Sequence, residues 1–162
     1  RVAGEPIEVV RIFICTDHGM ATCATIVDLM GQVEVLGLDF GKDDVATYDS
    51  TMGRFWFHND AARQRITELL EAEPHGRIIP PDELKDLGCD FEEDQFGELI
   101  YLMDAGNLIV PSHMGLTPIT GMHGYHPDDP DSDASLLSNV EPHTDPRNIA
   151  DIFGLMRAEA RV

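Results

Sequence analysis

The sequence has no apolar run approaching the roughly 20 residues that a bilayer-spanning helix requires, so nothing in it reads as a transmembrane segment. It is poor in basic residues: eleven Lys and Arg face thirty Asp and Glu, a formal charge of −19. That balance argues against a nucleic-acid binder, which needs a basic footprint on the phosphate backbone. It also suits an anionic membrane surface badly. Cysteine is scarce: Cys15, Cys23 and Cys89 are an odd number without CxxC spacing. A disulfide framework is therefore not expected, and a reducing, cytoplasmic compartment is favoured. There is no secretory leader and no initiator Met, which suggests a processed piece or fragment. No internal repeat of solenoid length occurs.

What is present suffices for a globular domain. Of the 162 residues 43% are hydrophobic, enough for a sizeable core. Residues 7–15 (IEVVRIFIC) form a nearly continuous apolar run and predict a largely buried strand of a parallel sheet, with Cys15 a buried thiol. Residues 33–40 predict a second extended segment, and the aromatic-rich residues 53–58 a third. Asn59 is a good N-cap for a helix over 60–72, with Ala62, Ile66, Leu69 and Leu70 on one face. A short strand follows at 77–79, then a helical turn or two opened by Pro81 and stopped by Gly88. Residues 98–103 and 108–110 flank DAGN, a hairpin signal. The stretch 127–140 is polar and loop-like. Asp145 and Pro146 predict the opening of a last helix, with Ile149, Ile152, Phe153 and Met156 as its packing stripe.

Two polar clusters interrupt this pattern. Asp17 and His18 sit at the end of the first strand, followed by Gly19, which lets the backbone turn. Carboxylate oxygen and imidazole nitrogen are a ligand pair suited to zinc or a similar divalent ion, and the carboxyl ends of parallel strands are where open α/β sheets bind ligands. A helix cap at Asp17 and a backbone-bonded His18 would explain the same residues. In the second cluster, residues 121–129 (GMHGYHPDD), His123 stands between two glycines. A plain solvent-exposed loop explains it equally well. The acids Asp128, Asp129, Asp131 and Asp133 leave open a non-catalytic module binding calcium or a partner protein. They lack the turn Gly and the closing Glu of an EF-hand loop.

Taken together, Thr16-Asp17-His18-Gly19-Met20 and Gly121-Met122-His123-Gly124-Tyr125 resemble the alkaline phosphatase superfamily, and within it the type I phosphodiesterase/nucleotide pyrophosphatase branch. The resemblance implies an α/β fold, part of a three-layer core, interrupted by a small α+β cap. Residues 1–44 would be core carrying the DHG motif, 45–111 the cap insertion, and 112–162 the return to core with the HGY motif and a closing helix. It implies metal-dependent hydrolysis of a small-molecule phosphate ester through two divalent ions, zinc or alternatively manganese. Asp17 and His18 would ligate one ion and His123 the other. The family's nucleophile, opening strand and remaining ligands lie upstream of the DHG strand, and only six residues precede Ile7. The expectation is thus the C-terminal portion of such a hydrolase, inactive alone, with no catalytic nucleophile among its residues. Sulfatase, phosphonate hydrolase and mutase activities share these ligands and remain alternatives. His126 stands where the family often has Asp, which leaves its role open. His113 lies near the return to the core, while His58, His75 and His143 read as surface, capping or loop residues. Trp56, with Phe55 and Phe57, either stacks a base or packs its own subdomain.

Overall fold

The computed structural model describes residues 10–160. In chain order the elements are β1 (Phe13–Cys15), β2 (Ala21–Thr22), β3 (Thr25–Val27), α1 (Leu29–Glu34), β4 (Asp44–Tyr48), β5 (Met52–Phe57), α2 (Asp60–Ala72), β6 (Gly76–Ile78), α3 (Pro81–Asp86), β7 (Leu99–Met103), β8 (Asn107–Ile109), β9 (Gly121–Met122), β10 (Leu136–Ser138) and α4 (Asp151–Glu159). They fall into two compact units. One holds Met20–Ser132; the other holds the stretches on either side, described from 10 to 19 and from 133 to 160. Among the described residues no helix is long and apolar enough to cross a membrane.

The larger unit is built on an antiparallel sheet in the order β4-β5-β7-β6. Alternate residues of β4 and β5 point inward: Ala46, Tyr48 and Phe55 are buried, and the Tyr48 and Phe55 rings meet edge to face at 5.7 Å. Helix α2 lays Ala62, Ile66 and Leu70 into the core, each at most 1% exposed. Asn59 starts it as expected, its side chain accepting from the Ala62 amide at 2.9 Å. The aromatic strand packs its own subdomain: Phe55 is fully buried, and the Trp56 indole donates to the Asp94 carbonyl.

Two sequence expectations for this unit change. Residues 33–40 are not a strand. Asp28 caps a helix instead, accepting from the Gly31 amide at 2.8 Å, and the i,i+4 pair Leu29 and Val33 forms a buried face that outweighs β-propensity. Gly37 ends this segment at φ +65°. The DAGN segment does turn, with Gly106 at φ +89°, but it joins two sheets rather than closing a hairpin. Strand β7 pairs with β5 and β6, whereas β8 runs parallel to β3, Val27 opposite Ile109.

In the smaller unit β1 pairs antiparallel with β10, Phe13 opposite Ser138 and Cys15 opposite Leu136. The expected buried parallel strand is therefore corrected. Residues 7–9 lie outside the described residues, and within them Val10, Ile12 and Ile14 are exposed, as is Cys15. Helix α4 begins later than Asp145. The carboxylate of Asp151 accepts from the Arg147 and Asn148 amides, which sets the start there. Its buried residue is Leu155, with Ile152 half-buried one turn before it, while Phe153 and Met156 are exposed and Ile149 lies exposed before the helix; the inward face runs through Ile152 and Leu155 rather than through the expected stripe.

Candidate functional site

The DHG motif leaves β1 through a bracket made by Thr16. Its amide donates to the Ser135 carbonyl at 3.0 Å, and its Oγ1 accepts from the Ser135 amide at 2.8 Å. Those two bonds fix the strand's end one residue before Asp17. The next two side chains are accessible, Asp17 at 79% and His18 at 36%. His18 Nδ1 lies 2.7 Å from the Gly19 carbonyl. A carbonyl only accepts, so Nδ1 carries the proton and Nε2 is the basic nitrogen. Nε2 lies 3.6 Å from Asp17 Oδ1. Two ligands about 2.1 Å from one tetrahedral ion are themselves about 3.4 Å apart, so this pair fits a zinc-like ion. Holding the far nitrogen on a backbone carbonyl is the usual way a metal-ligating histidine is oriented.

His123 lies in the other unit, immediately after β9, which pairs with β2 in the register Ala21 to Met122. The residues after it are anchored twice. Gly124 adopts φ +90°, and its carbonyl accepts from the Thr51 hydroxyl at 2.9 Å. A Cβ at Gly124 would stand 3.1 Å from that hydroxyl, so the left-handed backbone favours glycine and a larger residue would also press on Thr51. Tyr125 is buried, and its hydroxyl donates to the Asn107 carbonyl at 3.0 Å and lies 3.2 Å from Cys23 Sγ. The Cys23 thiol itself donates to the Ala21 carbonyl at 3.7 Å. Burial first, then the hydrogen bond and charge of Cys23, raise the Tyr125 phenol well above its ordinary range. His123 itself is exposed.

The candidate ligands thus lie in two separate units, a carboxylate–imidazole pair in one and a single imidazole in the other. Among the described residues no group of three or more His, Cys, Asp or Glu is arranged to hold one ion.

Four of the remaining histidines have structural partners. His113 Nδ1 accepts from the Tyr48 amide at 3.1 Å, and its ring lies 5.9 Å from Tyr48. His75 pairs with the buried Glu73 at 2.6 Å, and His143 with Glu159 at 3.3 Å. His126 joins a cluster that local sequence does not announce. Its Nδ1 accepts from the Asp128 amide at 3.2 Å. Its buried Nε2 lies 2.8 Å from Glu83 Oε1, within ion-pair range but too poorly aligned for a hydrogen bond. Arg77 Nη1 donates to the other Glu83 oxygen at 2.8 Å, and this bond first of all holds the Glu83 carboxyl below its ordinary range. Arg77 and His126 line a cleft of about 340 Å³ with Asp104 and Asp129. In the acidic loop, Asp129 Oδ1 accepts from the Asp131 amide, forming a local turn. Thr51 is the other residue that sequence reasoning missed. Nothing in YDSTMG marks it, and only the fold brings it to Gly124.

No family model matches the chain, and no curated protein matches it in sequence. Solved structures do match in fold. Murine ectonucleotide pyrophosphatase/phosphodiesterase 5 (ENPP5, NPP5) superposes with a TM-score of 0.68 at 16% identity, over 94% of this chain and 41% of that one. The human protein gives the same TM-score and coverage at 17% identity. An inactive variant of the murine protein in complex with AMP also matches, with a TM-score of 0.68 at 16% identity and the same coverage. The alkaline phosphatase-like α/β fold expected from the two motifs is thus the fold found, in part: this chain spans less than half the length of the nucleotide pyrophosphatase/phosphodiesterase structures whose fold it shares.

Proposed function

We propose that this chain is part of a metal-dependent phosphohydrolase of the phosphodiesterase/nucleotide pyrophosphatase type, acting on a nucleotide-like phosphate ester. What carries the reading is the coincidence of this fold with two family motifs, each fastened at a strand end by its own hydrogen bonds. Asp17 and His18 would hold one divalent ion and His123 a second, with zinc the first candidate and manganese the alternative. The chemistry such ions supply is activation of a hydroxyl nucleophile and stabilisation of charge on the phosphoryl oxygens.

The chain's own contribution is ligand presentation. Gly19 holds the His18 ring so that its basic nitrogen is on the same side as the Asp17 carboxylate. The nucleophile and the remaining ligands belong, on this reading, to the portion of the relatives' fold that this chain does not span. Residues 45–111 act as the substrate-selecting cap. The AMP bound to the inactive murine variant makes a nucleoside phosphate the first ligand class to try.

The test is a zinc titration of the full chain followed through the histidine imidazole NMR signals. The reading expects His18 and His123 to shift, with the His123 response lost in His123→Ala and the His18 response weakened in Asp17→Asn. A calcium response lost in Asp129→Asn and indifferent to His123 would replace it with the acidic-module reading.

A further inference from the structure

The turn between β4 and β5 is fastened to three other parts of its unit. The Asp49 amide closes it on the Met52 carbonyl at 2.8 Å. The Ser50 carbonyl accepts from the Ile109 amide of β8, and the Thr51 carbonyl from the Met103 amide of β7, both at 2.8 Å. With its backbone held on both sides, Thr51 is 6% exposed, and its hydroxyl donates to the Gly124 carbonyl across 73 residues of sequence. That carbonyl belongs to the residue directly after His123. On the amino side, β9 fixes Gly121 and Met122 against β2. On the carboxyl side, Tyr125 is buried with its hydroxyl on Asn107. His123 is therefore an exposed residue spanning two fixed points, and the Thr51 hydroxyl, packed close to Gly124, sets the orientation of the backbone beside it.

We propose that Thr51 is a positioning residue for His123: through the Gly124 carbonyl it fixes the backbone from which the imidazole is presented, and so ties the 45–111 region to that half-site. The metal consequence rests on the reading of His123 as a ligand; the positioning itself does not. A Thr51→Val substitution keeps the shape of the side chain and removes the donor, leaving the Gly124 carbonyl unanswered, whereas Thr51→Ser keeps the donor. Partners bonded directly to a ligating side chain commonly change metal affinity by about 10- to 100-fold; Thr51 acts one step removed, through the Gly124 carbonyl, so the lower end is expected.

The experiment compares the full chain with Thr51→Val and Thr51→Ser, reading the backbone HN–Hα couplings of His123 and Gly124 and the zinc concentration at which the His123 imidazole signals move. In Thr51→Val the couplings are expected to average, and the zinc midpoint for His123 to rise about tenfold. The His18 midpoint stays unchanged, and Thr51→Ser restores both properties of His123. Should Thr51→Val fail to fold, Thr51→Ala carries the same comparison. Unchanged couplings in the donor-less variant overturn the proposal, as does an equal loss at His18 and His123, the sign of a merely structural role. If the couplings average while His123 answers zinc in no variant, the positioning stands and the ligand reading falls.

Discussion

His18 Nδ1 sits 2.7 Å from the carbonyl oxygen of Gly19. That contact settles which ring nitrogen faces the Asp17 carboxylate, and it does so with backbone alone. The neutral ring is predicted to be the Nδ1–H form, readable from the imidazole nitrogen shifts. The Nε2–H form would contradict the arrangement on which the first half-site depends.

The three tyrosines, Tyr48, Tyr101 and Tyr125, are all buried, and burial is the leading cause that raises each phenol beyond its usual range. An absorbance titration at alkaline pH should show no phenolate forming near pH 10 while the chain is folded. The sign follows from linkage. The unfolded chain loses these protons first, so stability is intact below about pH 10 and falls as pH rises above it. Ordinary titration of any one tyrosine in the folded chain would contradict its burial.

Glu83 behaves oppositely. Its carboxyl is held low by the Arg77 bond, with His126 adding to the effect. The stabilisation is present above the usual carboxylate range of about 4.3 and is lost as pH falls through the lower folded value. Carboxyl carbon shifts should place the Glu83 midpoint below that of an exposed glutamate, and Arg77→Gln should bring it back up.

Ile66 is the centre of the buried face of α2 and is 0% exposed. Ile66→Ala should cost about 2–5 kcal/mol in urea unfolding, for lost burial and the cavity left behind. Asn59→Ala should cost about 1 kcal/mol through loss of the cap on the Ala62 amide. The two sites lie in one helix but share no partner, so the losses should add within about 0.5 kcal/mol.

The parts of this fold that local chemistry specifies are those the sequence declares. Helix α2 carries its cap, its stripe and its proline stop within one short stretch, and it forms over 60–72 as expected. The two motifs at Asp17–His18 and at His123 stand out because polar groups at strand ends interrupt an apolar pattern. Pairing choices were not legible. DAGN supplies a turn, but whether β7 and β8 then pair depends on β3 and β5, distant in sequence. The run before Cys15 reads as buried because apolar content implies a covered face, yet Ile12 and Ile14 are exposed. Thr51 and the Glu83–His126 contact are tertiary events, with no local spacing to mark them.

The most direct measurement is anomalous diffraction at the zinc edge from crystals of the full chain grown with the metal. One zinc is predicted to be bonded to Asp17 Oδ1 and His18 Nε2, and another to stand at His123. Zinc bound elsewhere with those three side chains bare, or bound only by the acids around Asp129, would contradict the metal-ligand assignment.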